Sequence, residues 1–436
     1  MNGGKRTEMY RITTGSLMHV YGAFGAKVHY TARLTVRLTD PVDAGILQRA
    51  LDRTQERYPY FCVTLIRGRE EQDGREIFCY KENPRPVALL HRDEKVCLNT
   101  EDTNYHVWAV CYNEDRIHLD FFHGITDGTG MYKVLATLLY YYCVERYGIA
   151  KQEGIGLAGD IISPEETADP QDTIESPEEL GSKIPAISFL PAFTAETDGG
   201  LTPSEATILD VEIPEQAFIR FTSSHDASPG TMVSILLARA LDELYPERDK
   251  DIINAYVINA RPRVNARKTY HNCLGMAVLS YDRIKGMPIT KQSTIYRGMT
   301  FRQSYDEVVK NSVAGSAEAS RKAAAEAESV DALKEVFGGM FNGGEGFFSF
   351  LVSYTGKWPY PELGQYILEF WAHPPNTFSL MAEIGAAGDK IFLSIQQRFK
   401  ENCVREAFLR QLDKHGIPYK VDRVLKTDVA SFDEPQ

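Results

Sequence analysis

The pattern of apolar and polar residues is most distinct between residues 117 and 147. From Ile117 to Phe122 it alternates along the chain, which predicts a strand with one buried face. From Met131 to Tyr147 leucines and tyrosines recur at spacings of three and four, which predicts a helix. The heptapeptide Phe122-His123-Gly124-Ile125-Thr126-Asp127-Gly128 joins the two elements. We therefore expect a strand-to-helix turn there, with Gly128 and Gly130 supplying the backbone freedom for the tight passage.

The rest of the first half predicts a strand, a helix and then several strands. The strand over Tyr30–Leu38 precedes a helix over Val42–Tyr58, which Pro59 ends. Short strands follow at Phe61–Ile66, Glu76–Tyr80 and Tyr105–Tyr112. This order predicts a mixed α/β layer with a mostly antiparallel sheet.

The second half predicts a similar mixture of elements. A strand over Ala206–Ile213 precedes helices over Gln216–His225 and Thr231–Tyr245, with Thr231 as the cap of the latter. The alanine-rich stretch Tyr305–Phe337 predicts one long helix or two, with a structural role. The remaining predicted elements are strands over Asp251–Ala260, Phe347–Tyr354, Tyr366–Phe370, Thr377–Ile384 and Lys390–Gln396 and a helix over Asn402–His415.

An acidic, proline-rich segment separates the two halves. It predicts domains at residues 1–160 and 204–436 joined by a linker at 161–203, whose prolines prevent a long helix. We expect a solvated connection. The alternative is a lid over a site, anchored by Phe189, Leu190 and Phe193. The acidic residues are Glu165, Glu166, Asp169, Asp172, Glu175, Glu178, Glu179, Glu196 and Asp198.

Composition narrows the class of protein. The 436 residues are 43% hydrophobic and 25% charged, as in soluble globular proteins. A net charge of −12 argues against nucleic acid or an anionic membrane as the main partner. We expect no membrane span and no signal segment, because the first residues are polar and no long uncharged apolar stretch occurs. The seven scattered cysteines favour reduced thiols in a cytoplasmic protein.

Several other kinds of site are disfavoured by spacing. None of the ten histidines has the spacing of a known metal site, so we expect no metal. No Gly-x-Ser-x-Gly elbow occurs. Gly154–Gly159 matches a dinucleotide fingerprint but lacks the preceding strand and following helix that this motif needs. Trp371 and His373 are predicted to lie in an exposed loop, with a pocket wall as the alternative.

His123 is the strongest candidate for chemistry. A histidine at the end of a half-buried strand is presented at the rim of a core, and its pKa lies near neutral. It can therefore accept a proton from a substrate and return it. Asp127 is too close in sequence to be an independent base, so we expect it to fix the turn through a cation from elsewhere.

His123, Asp127 and Gly128 form the pattern His-x-x-x-Asp-Gly. It resembles the signature of the superfamily that contains chloramphenicol acetyltransferase, condensation domains and alcohol O-acetyltransferases. The resemblance implies an α/β fold of two chloramphenicol-acetyltransferase-like halves with the active site in the cleft between them. It also implies that the histidine is the general base and that the aspartate pairs with a distant arginine. Condensation domains usually carry a histidine where this chain has Phe122, a departure that favours the simpler acyltransferase branch.

Further matches suggest more site residues. Arg261-Pro262 at the end of a predicted strand, followed by Gly275, resembles the segment that supplies the family's arginine, so Arg261 is expected to hold Asp127. The alternative is a surface cluster of bases (Arg261, Arg263, Arg267, Lys268) that meets the phosphates of a coenzyme. Ser353 resembles a family serine near the active site, where a hydroxyl can donate to an oxyanion. Phe122 and Tyr354 are candidates for lining the substrate site.

The resemblance implies an acyltransferase that moves an acyl group from a thioester to an alcohol or amine, with His123 as general base. The donor would be a coenzyme A thioester or a thioester on an acyl carrier protein, and the acceptor a small molecule. The alternative is a non-catalytic relative that binds a carrier protein, a ligand or a partner chain in the same cleft. These motifs do not identify the acyl group or the acceptor.

Overall fold

The computed structural model describes residues 9–28, 30–70, 74–181, 191–375, 377–426 and 435. The first part of the chain forms β1 (Met9–Arg11), α1 (Thr14–Ala26), β2 (Thr31–Leu38), α2 (Ala44–Arg57), β3 (Val63–Arg69), β4 (Glu76–Glu82), β5 (Leu89–His91), β6 (Trp108–Asn113), β7 (Arg116–Phe122) and α3 (Gly128–Tyr147). Two short helices follow, α4 (Pro164–Thr167) and α5 (Pro170–Thr173).

The second part begins with β8 (Pro203–Pro214), α6 (Glu215–Ser224), α7 (Pro229–Leu244), β9 (Ile253–Asn259), β10 (Leu274–Ser280), α8 (Ile289–Gln303), α9 (Asp306–Glu326) and α10 (Val330–Glu345). It ends with β11 (Phe350–Lys357), α11 (Pro361–Gly364), β12 (Ile367–His373), β13 (Leu380–Ala387), β14 (Lys390–Phe399), α12 (Cys403–Lys414) and β15 (Lys420–Lys426).

The described strands form sheets of three, five and seven strands. The five-stranded sheet has the order β12-β2-β7-β6-β5, and the seven-stranded sheet has the order β10-β9-β11-β13-β14-β8-β15. Most neighbouring strands are antiparallel; β5 with β6, β9 with β11 and β11 with β13 are parallel. The predicted α/β class with mostly antiparallel pairing is confirmed.

Strand β12 lies in the sheet of the first half although it comes late in the chain. It pairs with β2 in antiparallel register, with Phe370 opposite Val36. The expectation that Trp371 and His373 lie in an exposed loop is wrong, because both are buried within this strand. His373 contacts Asp210 of β8, with 3.1 Å between Nε2 and Oδ1. The domain limits at residues 160 and 204 stay a prediction, and the first sheet takes a strand from beyond them.

Helix α1 was not predicted from the sequence, because glycines interrupt its apolar pattern. Those glycines allow close packing: a Cβ at Gly25 would collide with the carbonyl oxygen of Lys334 on α10. The start of α1 is covered by the acidic segment. Asp172 accepts a hydrogen bond from the Thr14 amide at 2.8 Å, and Asp169 accepts one from the Gly15 amide at 2.9 Å. Negative side chains thus satisfy the free amides at the helix N-terminus.

The described part of the acidic segment packs against the rest of the protein. Glu166 accepts a two-pronged hydrogen bond from Arg57, at 2.8 and 3.0 Å, and another from Tyr60. The expectation of a solvated connection is therefore wrong for Glu166 and Asp169, since buried carboxylates need such partners. Phe193 packs in the core of the second half.

Phe189 and Leu190, the other proposed anchors of a lid, lie outside the described residues. The lid itself stays a prediction.

Other differences from the sequence-based expectations are local. Helix α7 begins earlier than expected: Ser228 is its cap, and Thr231 completes the capping box from inside the helix. The alanine-rich stretch forms two helices, α9 and α10, with a break at residues 327–329. In the described part of the chain, no helix is both long and apolar enough to cross a bilayer.

Candidate active site

The turn that carries His123 connects β7 to α3. The His123 amide donates to the carbonyl oxygen of Tyr30 at 2.9 Å, which holds the turn against the start of β2. Asp127 caps α3 by accepting a hydrogen bond from the Gly130 amide at 3.0 Å. Gly130 is tightly packed, since a Cβ there would collide with the Thr126 hydroxyl. Gly128 has open space around its Cα and no positive φ, so the expectation that it supplies backbone freedom is wrong.

Asp127 and Arg261 form a buried, two-pronged ion pair. Nη1 and Nη2 of Arg261 each lie 2.8 Å from a carboxylate oxygen of Asp127, and the Cys273 amide donates to the same carboxylate at 3.1 Å. Burial opposes ionisation of Asp127, but the charge and hydrogen bonds of Arg261 outweigh it and lower the pKa of the carboxyl. The alternative in which Arg261 belongs to a surface cluster is wrong, because its side chain is buried.

The His123 ring is half-buried and has one nitrogen available. Nδ1 is buried without a hydrogen-bond partner among the described residues, so Nε2 is the nitrogen on the exposed side of the ring. Burial lowers the pKa of His123, although the charge of Asp127 opposes this shift. The imidazole is therefore neutral at physiological pH and can accept a proton at Nε2.

Asn272 also contacts the turn, although no pattern in the chain singled it out. Its Nδ2 donates to the His123 carbonyl oxygen at 3.0 Å. Its Oδ1 is buried without a partner in the described part of the chain, as is Nδ1 of His123. The segment that positions Arg261 thus also holds the backbone of His123.

His19 and Tyr30 complete the immediate surroundings of His123. The ring centroids of His19 and Tyr30 lie 5.7 and 5.3 Å from that of His123. Nδ1 of His19 is hydrogen-bonded to the Tyr30 hydroxyl at 2.5 Å. Burial, and then the nearby His123, lower the pKa of His19 to about 3. His19 lies on α1, the helix that the hydrophobic pattern did not predict, so no sequence signal placed it at this site.

Ser353 lies on β11, directly opposite the buried Glu383 on β13. Tyr354, the next residue, is partly buried against the core of the second half, and its role in lining a substrate site stays a prediction. The same expectation is wrong for Phe122, which is 1% exposed and packs against Phe24 and Tyr30 behind His123.

A cavity of about 400 Å³ lies beside α3. Its walls come from the end of α2, from α3 and from the segment between residues 154 and 166. Lys133 and Lys268 contribute positive charge there, while Glu166 is already paired with Arg57. His123 does not line this cavity.

One group of carboxylates approaches the geometry of a metal site. Oxygens of Glu212, Glu369 and Asp422 lie within 4.8 Å of one another. Lys390 lies 2.8 Å from Glu212, and Arg37 lies 2.8 Å from Glu369. These cations already balance the negative charge, so the group is explained as part of a salt-bridge network.

Searches with the sequence find no matching protein-family model and no matching curated protein. The structure, in contrast, resembles many solved structures. Polyketide synthase associated protein 5 from Mycobacterium tuberculosis superimposes with a TM-score of 0.62 at 14% identity, covering 93% of this chain and 98% of that one.

Two further structures show the same likeness. The first condensation domain of the CDA synthetase superimposes with a TM-score of 0.60 at 15% identity, covering 98% and 99% of the two chains. F. sporotrichioides TRI101, solved with coenzyme A and T-2, superimposes with a TM-score of 0.59 at 10% identity, covering 95% and 99%. The chain therefore has the two-part chloramphenicol-acetyltransferase-like fold of condensation domains and TRI101.

Proposed function

We propose that the protein is an acyltransferase that moves an acyl group from a thioester to an alcohol or amine, with His123 as the general base. The observation that carries this proposal is a neutral imidazole with Nε2 on its exposed side, on a turn fixed by the Asp127–Arg261 ion pair. A base held in this way suits proton transfer, because the imidazole is already oriented before the reaction begins.

The proposed reaction needs no covalent acyl-enzyme. As the acceptor oxygen or nitrogen bonds to the thioester carbonyl carbon, its proton passes to Nε2 of His123. The carbonyl oxygen becomes an oxyanion, which a hydroxyl such as that of Ser353 can stabilise by donating a hydrogen bond. When the oxyanion collapses, the carbon–sulfur bond breaks and the imidazolium returns its proton to the leaving thiolate. Asp127 remains paired with Arg261 throughout and keeps the turn in place.

Coenzyme A is the donor that we favour. Arg267 and Lys268 are exposed on the loop that also carries Arg261, and their charges suit the phosphates of this co-substrate. The solved TRI101 structures contain coenzyme A, which supports the choice by analogy of fold. A thioester on an acyl carrier protein would present the same carbonyl to His123.

A non-catalytic protein that binds a ligand or partner in the same cleft is the competing function. The two are separated by measuring free thiol released from acetyl-CoA with a panel of alcohols and amines. We expect acceptor-dependent thiol release by the wild-type protein and release about 10²–10⁴-fold slower by His123→Ala. His91→Ala, which changes an exposed histidine on β5, is the matched control and should retain activity. Release of no thiol with any acceptor, and with longer acyl-CoA donors, would favour the binding protein.

A further inference from the structure

His19 places a second histidine beside the proposed base. It lies on α1, and its ring centroid is 5.7 Å from that of His123, with 34° between the ring planes. Tyr30 contacts both rings, with its own centroid 5.7 Å from that of His19 and 5.3 Å from that of His123. The three side chains therefore form one cluster, built from α1, the residue before β2 and the turn after β7.

The Tyr30 hydroxyl decides which nitrogen of His19 carries the proton. Tyr30 is 4% exposed, and Nδ1 of His19, at 2.5 Å, is the hydrogen-bond partner of its hydroxyl among the described residues. Burial raises the pKa of the phenol, so Tyr30 keeps its proton. A buried hydroxyl proton without an acceptor is costly, so Tyr30 donates and Nδ1 accepts. The proton of neutral His19 is therefore on Nε2.

Nε2 of His19 and Nε2 of His123 are both available to a substrate. Both rings are half-buried, and neither nitrogen makes a hydrogen bond to a described residue or is buried without a partner there. The site thus offers a donor, the N–H of His19, beside an acceptor, the lone pair of His123. One atom about 2.8 Å from each nitrogen can bridge the two if they are no more than about 5.6 Å apart, which the ring spacing allows.

A hydroxyl group matches this donor and acceptor, whereas an amine does not. An alcohol oxygen has one proton to give to His123 and two lone pairs. One lone pair can form the bond to the thioester carbon while the other accepts a hydrogen bond from His19. A neutral amine has a single lone pair. If that lone pair accepts from His19, none is left to attack the thioester.

We propose that the acceptor is an alcohol and that His19 is a second catalytic residue, which holds the acceptor oxygen by donating from Nε2 while His123 removes its proton. This inference rests on the proposed function and deepens it, because it narrows the acceptor to a hydroxyl compound. The carbon–oxygen bond forms, the carbon–sulfur bond breaks, and the proton passes through His123 to the leaving thiolate. His19 keeps its own proton throughout, and Tyr30 holds it in the required tautomer.

The test compares alcohols with amines of the same carbon skeleton, with acetyl-CoA as donor and kcat/KM for thiol release as the readout. We expect His19→Phe, which keeps a ring but has no donor, to lower the ratio of the alcohol value to the amine value by at least about tenfold. Comparing this ratio between proteins cancels the different intrinsic reactivity of the two groups. His19→Gln, whose amide can donate from a similar position, should restore much of the ratio. His91→Phe, at an exposed histidine on β5, should keep the wild-type ratio.

Nitrogen-15 NMR of the histidine side chains provides a readout that does not depend on activity. The His19 signals, assigned with His19→Gln, should show a proton on Nε2 at neutral pH, and Tyr30→Phe should allow a mixture of the two tautomers. A proton on Nδ1 in the wild-type protein, an unchanged ratio in His19→Phe, or a wild-type preference for amines would overturn this inference while leaving His123 as the base. Absence of thiol release with every acceptor would instead overturn the proposed function, and the alcohol acceptor with it.

Discussion

Arg261 reaches from the end of β9 to Asp127 on the turn after β7, and both of its terminal nitrogens lie 2.8 Å from the carboxylate oxygens. Residues 134 positions apart in the sequence are thereby joined in one buried ion pair. Arg261 also donates to the carbonyl oxygens of Thr269 and His271, at 3.0 and 2.8 Å. The turn that aims His123 is therefore held by the second half of the molecule, and mutations in either half should affect it.

Arg261→Ala should lower both stability and activity. Removing one partner of a buried ion pair leaves an uncompensated charge, which typically costs about 3–5 kcal/mol. We expect a loss of this size in the free energy of unfolding measured with urea, together with a fall in kcat because His123 is no longer held in place. Arg263→Ala is the matched control, since the one ion pair of the Arg263 side chain among the described residues is a long contact to exposed Asp306, at 3.6 Å. Equal effects of the two substitutions would contradict this role for Arg261.

His123→Ala should lower activity and leave stability almost unchanged, in contrast to Arg261→Ala. Loss of a positioned general base typically lowers the rate by about 10²–10⁴-fold. The side chain is half-buried and Nδ1 makes no hydrogen bond to the described residues, so the urea unfolding midpoint should change little. Rates are measured by thiol release under saturating donor and acceptor. A variant that unfolds readily but retains its rate would rule out the assigned role.

His19 should stay neutral throughout the physiological range. Because its folded pKa is lowered to about 3, below the ordinary histidine value of 6.5, the unfolded chain binds a proton between these pH values that the folded protein does not. Stability contributed by neutral His19 should be fully present above about pH 6.5 and should decline as the pH falls toward 3. NMR titration of the ring protons tests this, and a midpoint near 6.5 for His19 would contradict it.

Tyr30→Phe should lower the free energy of unfolding, because Tyr30 is hydrogen-bonded to His19 beside His123. The substitution removes the hydroxyl that is hydrogen-bonded to Nδ1 of His19 and keeps the ring that contacts His123. A buried group left without its partner costs about 1–3 kcal/mol, which urea unfolding can measure. Tyr105→Phe, at an exposed tyrosine, is the control and should change stability by less than about 0.5 kcal/mol. A loss no larger than that of the control would argue that the hydrogen bond contributes little.

Glu383 should make the folded protein sensitive to alkali. Its folded pKa of about 8 lies above the ordinary glutamate value of 4.5, so between these values the folded protein holds a proton that the unfolded chain releases. The contribution of Glu383 to stability is fully present below about pH 4.5 and is lost progressively as the pH rises to about 8. Glu383→Gln should flatten this decline in the free energy of unfolding. Parallel pH curves for wild type and variant would contradict the raised pKa.

Local elements of the chain could be predicted from the sequence because they depend on interactions between residues that are close in sequence. The alternation over Ile117–Phe122 and the leucine spacing after Met131 place β7 and α3 closely. The strand that ends before Arg261 follows from its nearly continuous apolar run. In each of these segments the period of the side chains matches the element that buries them.

The predictions were wrong for elements that pack against segments far away in the sequence. Strand β12 joins the sheet of the first half, so Trp371 and His373 are buried where a loop was expected. Helix α1 was missed because its stability comes from close packing on α10 at Gly25 and Gly338, not from an apolar stripe. His19 was missed for the same reason.

By itself, the order of residues determined most strands and helices, the position of His123 at a strand end, and the presence of an aspartate that requires a cation. Each of these follows from periodicity and from the cost of burying charge within one stretch of chain. Only the tertiary structure decided that His19, Tyr30 and Asn272 surround His123 and that Ser353 faces Glu383. Those contacts join segments far apart in sequence, and their geometry is set by how whole sheets and helices pack, which no local pattern encodes.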